Sequence, residues 1–161
     1  MIFSKAALLA AFSIMTTIRL AETSDIERMM PAVRAFYVYE RLVLDEVRYR
    51  ELCIELMATD ALGRLLVVES NGEVIGYAVV GFGFSLEFGG RDALLDEFYV
   101  REEHRGHGIG TRVLTAVEEL CRAKGFRALH LEADYVNARV HEFYKRNGFK
   151  DHERHLMTKW I

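Results

Sequence analysis

The stretch that decides the fold is LLDEFYVREEHRGHGIGT, residues 94–111. An apolar, acid-containing strand, Leu94–Val100, leads to a glycine-rich turn, Arg105–Thr111, and then to an amphipathic helix predicted to begin near Gly108. A glycine-rich turn between a strand and a helix exposes backbone N–H groups at the positive end of the helix dipole, where phosphate binds well. The stretch therefore predicts a strand–loop–helix unit that binds a phosphate-bearing ligand.

The glycine spacing excludes two common phosphate loops. No Lys-Ser or Lys-Thr pair closes the run, and the glycines fall as G-x-G-x-G rather than G-x-G-x-x-G. The turn is therefore neither a Walker loop nor the dinucleotide-binding fingerprint. A turn of this kind could also bind nothing, so the elements on either side of it decide between the two interpretations.

Turn and capping signals predict four strands and two helices before the glycine-rich turn. Ser24 and Glu27 form a capping box, so a helix is predicted to start at Asp25, and Pro31 is expected to kink or break it. Asn71-Gly72 and Gly89-Gly90 are tight-turn signals. The predicted elements are a strand at 16–20, helices from 25 and over 45–57, and strands over 64–69, 73–88 and 91–100.

After the turn the pattern predicts a helix over 108–124, a strand over 127–133, a helix over 137–146 and a last strand over 153–160. The helix at 108–124 connects two strands as a βαβ crossover, which makes those strands parallel. The order is β-α-α-β-β-β-α-β-α-β. We therefore predict an α/β protein whose mixed sheet is antiparallel at first and has a parallel strand pair at its centre.

Composition limits the classes of protein and partner. The 161 residues, 51% hydrophobic and 28% charged, fit one domain, and a net charge of −3 predicts no nucleic-acid partner. The two cysteines, Cys53 and Cys121, are too few for a disulfide framework, which favours a reduced, cytoplasmic protein. Residues 1–15 are predicted to be an N-terminal extension outside the fold, and 16–161 the domain. The apolar run over 1–14 is too short to cross a membrane, so no membrane partner is expected.

The Arg-x-x-Gly-x-Gly pattern after a strand ending in Tyr-Val resembles the acyl-CoA loop of the GNAT family of N-acetyltransferases, and the element order matches that fold. The resemblance covers 16–161 and is strongest over 95–149, with a local similarity to the diamine and polyamine branch. It implies acetyl-CoA as co-substrate, with the pyrophosphate on loop N–H groups and the pantetheine arm on the strand backbone. The residues implied in this binding are Phe98, Tyr99, Val100, Arg105, Gly106, His107, Gly108, Ile109, Gly110 and Thr111.

Acylation of an amine requires a base, because an alkylammonium with a pKa near 10.4 has no lone pair for attack. Asp96 and Glu97 are the candidates, and the family often carries an acid at one or both positions. As strand neighbours they are expected to point to opposite faces. Glu97 is the first choice because it shares a face with Tyr99. The alternative is that either acid caps backbone or forms an ion pair.

Tyr144 is the candidate for protonating the departing thiolate, since a phenol is protonated at neutral pH. It follows Asn137 by about two helical turns. The segment 137–149 resembles the last helix motif of the family, which implies that Asn137 bonds the pantetheine arm while Tyr144 reaches the sulfur. The alternative is a tyrosine that packs beside Phe143.

The leading hypothesis is transfer of an acetyl group to a primary amine of a small molecule or peptide by direct attack in a ternary complex. The alternative is a catalytically silent acyl-CoA-binding or sensor domain, which should lack the acid and the tyrosine. No metal is predicted, because His152 and His155 have no completing ligands. Aromatic and acidic residues over 36–40 and 84–88 could form the amine pocket, or equally belong to the core or a dimer surface. A homodimer is expected only by analogy with the family.

Overall fold

The computed structural model describes residues 16–134 and 136–161. The chain divides into two compact units, Met1–Leu131 and Glu132–Ile161. The predicted N-terminal extension, residues 1–15, lies outside the described residues. No helix in the described part of the chain is long and apolar enough to cross a membrane.

The first unit is a five-stranded mixed sheet with three helices. The sheet order is β1-β2-β3-β4-β5, antiparallel through β4, with β5 parallel to β4. This arrangement confirms the predicted fold class and the parallel pair. The strands are β1 (Thr16–Leu20), β2 (Gly63–Ser70), β3 (Glu73–Ser85), β4 (Gly90–Val100) and β5 (Ala128–Leu131); the helices are α1 (Asp25–Glu40), α2 (Glu46–Ala58) and α3 (Ile109–Ala123), with a short 3-10 helix at Glu102–His104.

Helices cover both faces of this sheet. On one face, α1 and α2 bury a cluster that includes Met29, Met30 and Tyr49 against Val67 and Tyr77. Successive residues of a strand point to opposite faces, so the other buried residues of β2 face away from this cluster. The buried residues of α3 do not belong to the cluster, and α3 contacts β1, β4 and β5. The sheet is therefore the middle layer of the first unit.

Helix α1 corrects one expectation and refines another. Pro31 does not break the helix, which runs through it to Glu40. Burial of Met29, Met30 and neighbouring apolar residues offsets the roughly 3 kcal/mol that an interior proline costs. The helix begins at Asp25 as predicted, but Ser24 makes no side-chain cap. Instead, the Asp25 carboxylate accepts a hydrogen bond from the Glu22 N–H, at 2.9 Å.

The second unit contains one helix, α4 (Ala138–Arg146). The strand predicted over 153–160 is not formed, and every residue over 151–161 is exposed. A strand is stable only where a neighbouring strand completes its backbone hydrogen bonds, and no residue described in this unit is in a strand. The prediction of a last strand over 153–160 is therefore wrong.

Candidate active site

A β-bulge in β4 determines which way the candidate base points. Val79 is paired with Glu97 and Val80 with Leu95, so Asp96 is an extra residue with no partner on β3. A bulge of this kind shifts the alternation of the strand. Tyr99 lies beyond the bulge and packs against the α1–α2 cluster. Glu97 therefore faces α1 and α2, on the same side as Tyr99.

The parallel pairing of β4 ends at the same bulge. Residues Asp92 to Leu95 pair with β5, and the last pair is Leu95 with Leu131. Strand β4 continues to Val100, where its antiparallel partner is Gly76. The segment 96–100 therefore has β3 on one side and, among the described residues, no strand on the other. The backbone of a strand edge can bond an extended ligand in the manner of an added strand.

The glycine-rich turn joins this segment to the start of α3. Gly106 and Gly108 have φ values of 81° and 77°, in the left-handed region that glycine adopts without strain. A Cβ at either position would meet no atom within 4 Å. The first helical hydrogen bond runs from the Arg112 N–H to the Gly108 carbonyl, at 3.1 Å. The N–H groups of the first turn, Ile109 to Thr111, have no acceptor within the helix and are suited to an anion.

Arg105 attaches the turn to the end of β4. Its Nε donates a hydrogen bond to the Val100 carbonyl at 2.8 Å, and its guanidinium lies 5.1 Å from the ring centre of Tyr99 and 5.7 Å from that of Tyr39. The structure thus brings Val100, Tyr99 and Arg105 together. The guanidinium of Arg105 therefore contacts the Val100 carbonyl and two tyrosine rings, and it also lies at the start of the loop.

Three tyrosine hydroxyls surround the Glu97 carboxylate. Tyr49 and Tyr77 donate to Oε2 at 2.8 and 2.7 Å, and Tyr37 donates to Oε1 at 3.1 Å. We call Tyr37, Tyr49 and Tyr77 the tyrosine cage. These hydroxyls come from α1, α2 and β3, so three elements converge on one carboxylate of β4.

Burial dominates the electrostatics of the cage. Burial raises the pKa of Glu97 above its ordinary value, while the three hydrogen bonds from the cage oppose that change. Burial, and then the charge of Glu97, raises the pKa of each cage hydroxyl far above that of a free phenol. The tyrosines therefore remain protonated donors. A carboxylate whose pKa is raised holds a proton more readily than an ordinary one, which suits a general base.

Asp96 has a different environment. It is an exposed residue with no hydrogen-bond partner among the described residues, although desolvation of its carboxyl raises its pKa. It therefore lacks the fixed orientation that the cage gives Glu97.

The second unit holds the other two predicted site residues. Asn137 is the N-cap of α4, and its side chain accepts a hydrogen bond from the Val140 N–H at 3.2 Å. Tyr144 is half-buried in the same helix, with its ring 5.2 Å from Phe143 and 5.6 Å from Phe149, centre to centre. Its ring therefore has the packing role named as the alternative, which does not by itself define the role of its hydroxyl.

Both cysteines are free and buried. Burial raises the pKa of the Cys53 thiol to about 11 and also raises that of Cys121. Neither is placed or ionised as a nucleophile should be. Within 16–134 and 136–161, no three His, Cys, Asp or Glu side chains are grouped so as to hold a metal ion.

Sequence reasoning missed the cage. No role was predicted for Tyr49, whose hydroxyl bonds Glu97. The available signal was chemical, because a buried tyrosine hydroxyl usually has a hydrogen-bond partner and a buried acid needs donors. The sequence therefore contains both a set of hydroxyl donors and an acid that needs donors, but it does not show which tyrosines bond Glu97.

Comparison with known proteins gives consistent matches. Residues 26–149 match the model of the Acetyltransferase (GNAT) family. A thialysine N-epsilon-acetyltransferase of Bos taurus is 34% identical over 146 residues, which is 83% of this chain and 84% of the relative. An integron cassette protein from the Cole Harbour Salt Marsh metagenome superposes with a TM-score of 0.80 at 29% identity, covering 93% of this chain and 92% of the other. An aminoglycoside N-acetyltransferase solved with CoA shares the fold, with a TM-score of 0.77 at 16% identity over 90% and 94% of the two chains.

Proposed function

The chain belongs to the GNAT family of acetyltransferases, and we propose that it transfers an acetyl group from acetyl-CoA to a primary amine of a small molecule or peptide. The observation that carries this proposal is the end of β4. Beyond the bulge, one edge of the strand has no strand partner within residues 16–134 and 136–161 and lies beside a glycine-rich turn, and its face carries a caged carboxylate. The proposed donor site and the proposed base therefore belong to one short segment.

Acetyl-CoA fits the residues present at this segment. We propose that the N–H groups of Ile109, Gly110 and Thr111, with the backbone around Gly106, His107 and Gly108, hold the pyrophosphate. The backbone of Phe98, Tyr99 and Val100 would bond the pantetheine arm, with Arg105 adding positive charge. Asn137, in the second unit, is proposed as a further polar contact for the arm only from the likeness of residues 137–149 to the last helix motif of the family. The acetyl thioester supplies an electrophilic carbonyl carbon.

Glu97 is proposed as the base, with Asp96 as the second candidate. The acceptor arrives as an ammonium ion and must lose a proton before its nitrogen can attack. Glu97 takes that proton, and the nitrogen–carbon bond forms. The nitrogen then loses its second proton to solvent, and the carbon–sulfur bond breaks as the carbonyl re-forms. Tyr144 is proposed to donate its hydroxyl proton to the departing sulfur and to regain one from solvent.

Direct attack in a ternary complex is favoured over an acyl-enzyme route. The sequence has only two cysteines, and both are buried and have raised pKa values. Neither is prepared to act as an acyl carrier. Two free cysteines also support our proposal of a cytoplasmic location.

Release of the CoA thiol from acetyl-CoA tests the function. We would measure it with thialysine, lysine, polyamines, aminoglycosides and N-terminal peptides, because the bovine relative is named for thialysine. We expect release with at least one amine class, and a loss of roughly 100-fold or more in Glu97→Gln. Folded protein that binds CoA yet releases no thiol with any amine would instead support a silent acyl-CoA-binding domain.

A further inference from the structure

The two oxygens of the Glu97 carboxylate have unequal surroundings. Oε2 accepts two hydrogen bonds, from Tyr49 and Tyr77, at 2.8 and 2.7 Å. Oε1 accepts one, from Tyr37, at 3.1 Å. Tyr77 is fully buried and Tyr49 is 8% exposed, whereas Tyr37 is only half-buried. One oxygen is therefore held from the interior and the other is held at the accessible side.

The cage contains no cation. Glu97 has no salt-bridge partner within the described part of the chain, so neutral phenols alone stabilise its charge. Glu97 is half-buried, and a charge largely removed from water normally has an ionic partner. The other ionisable groups that act on this carboxyl are the Cys53 thiol of α2 and the neighbouring Asp96 carboxyl. Neither supplies a positive charge, so an ammonium ion would complete the site.

Resting on the proposed role of Glu97 as base, we propose that Tyr49 and Tyr77 are positioning residues that fix Oε2 and present Oε1 to the acceptor ammonium group. The acceptor N–H bond breaks, the proton moves to Oε1, and the nitrogen keeps the electron pair. Tyr37 lies where the acceptor enters. Tyr49 and Tyr77 keep their own protons throughout and act only through Glu97.

The pH profile separates this role from simple packing. Each cage hydrogen bond favours the ionised carboxylate, so its loss must raise the pKa of Glu97. Activity requires ionised Glu97 and falls as the pH drops through that pKa. In Tyr49→Phe and Tyr77→Phe, the acidic limb of kcat/KM should therefore move up by about one pH unit each, because a hydrogen bond to a charged group has that strength. The KM for acetyl-CoA should not change.

Phe36→Leu is the matched control. The Phe36 ring lies 6.2 Å from those of both Tyr77 and Tyr99, so this variant disturbs the same packing without removing a hydroxyl. Its acidic limb should stay at the wild-type pH. Carbon-13 NMR titration of the Glu97 carboxyl, identified by its absence in Glu97→Gln, measures the same shift without any acceptor.

The outcomes separate the proposed role of Glu97 as base from the proposed positioning role of Tyr49 and Tyr77. An acidic limb that persists in Glu97→Gln overturns the base assignment, whatever the tyrosine variants do. A limb that vanishes in Glu97→Gln but stays in place in Tyr49→Phe and Tyr77→Phe overturns the positioning role alone. If Tyr77→Phe does not fold, Tyr49→Phe and its NMR titration decide. A shift in Phe36→Leu equal to theirs also defeats the proposal.

Discussion

At the scale of the single residue, the Tyr144 hydroxyl can be separated from its ring. Tyr144→Phe keeps the contacts with Phe143 and Phe149. If the hydroxyl protonates the leaving sulfur, turnover should fall roughly 100-fold, while the affinity for acetyl-CoA changes little. Stopped-flow or steady-state kcat, with calorimetric Kd for acetyl-CoA, would measure both effects. Phe149→Leu is the control, since it loosens the packing but keeps the hydroxyl; an equal loss of turnover there would argue for packing alone.

The face of Glu97 was predictable from sequence, but its partners were not. Glu97 shares a face with Tyr99 as expected, because both lie beyond the bulge. Tyr37, Tyr49 and Tyr77 are 60, 48 and 20 positions away from Glu97 in the chain. A periodic pattern shows only which side of an element is buried. The packing of α1, α2 and β3 determines which hydroxyl bonds which oxygen of Glu97. A local sequence pattern cannot predict that packing.

At the scale of the element, the start of α3 depends on a glycine. Gly108 has a φ of 77°. Gly108→Ala would strain the backbone by about 1 kcal/mol and place a methyl group where the proposed phosphate approaches. We expect weaker CoA binding, by about tenfold or more, as measured by calorimetry.

Gly72 provides a matched control for that change. It lies in the turn between β2 and β3, has a φ of 78°, and a Cβ there would also meet nothing within 4 Å. Gly72→Ala should lower the melting temperature about as much as Gly108→Ala but leave CoA binding unchanged. If both variants weaken CoA binding equally, backbone strain, and not the methyl group beside the proposed phosphate site, causes the loss of affinity.

Local signals predicted most elements, and the failures have physical causes. The turn at Asn71-Gly72 has positive φ at both residues, as the hairpin signal requires. Pro31 was expected to kink or break α1, but burial of the neighbouring apolar side chains stabilises the helix by more than the proline destabilises it. The predicted last strand is not formed, because a local sequence signal cannot supply the partner strand that completes its hydrogen bonds. The bulge at Asp96 was not anticipated, since its residues fit a regular strand as well as an interrupted one.

At the largest scale, the first unit depends on a charge network that attaches α1 to the edge of the sheet. The Asp25 carboxylate is buried and accepts from Arg19 at 2.6 and 2.9 Å and from Arg28 at 2.5 Å. Glu69 of β2 also bonds Arg19, at 2.8 Å. Arg19, followed by the Glu22 N–H and Arg28, lowers the pKa of Asp25 far below its ordinary value despite burial. The network therefore joins β1, β2 and α1 through one ionised carboxylate.

Because the pKa of Asp25 is lower in the folded than in the unfolded state, its stabilisation is complete above the unfolded value near 3.9 and is lost as the pH falls below it. Asp25→Ala leaves Arg19 and Arg28 without this partner and should lower the free energy of unfolding by about 3 kcal/mol at pH 7. Urea unfolding from pH 7 to 2 should show that difference shrinking below about pH 4. Glu46→Ala, which breaks more exposed pairs with Arg34 and Arg50, should have a smaller effect at pH 7. A wild-type advantage over Asp25→Ala that is as large at pH 2 as at pH 7 would show that the lost packing of the side chain, and not its charge, stabilises this corner of the fold.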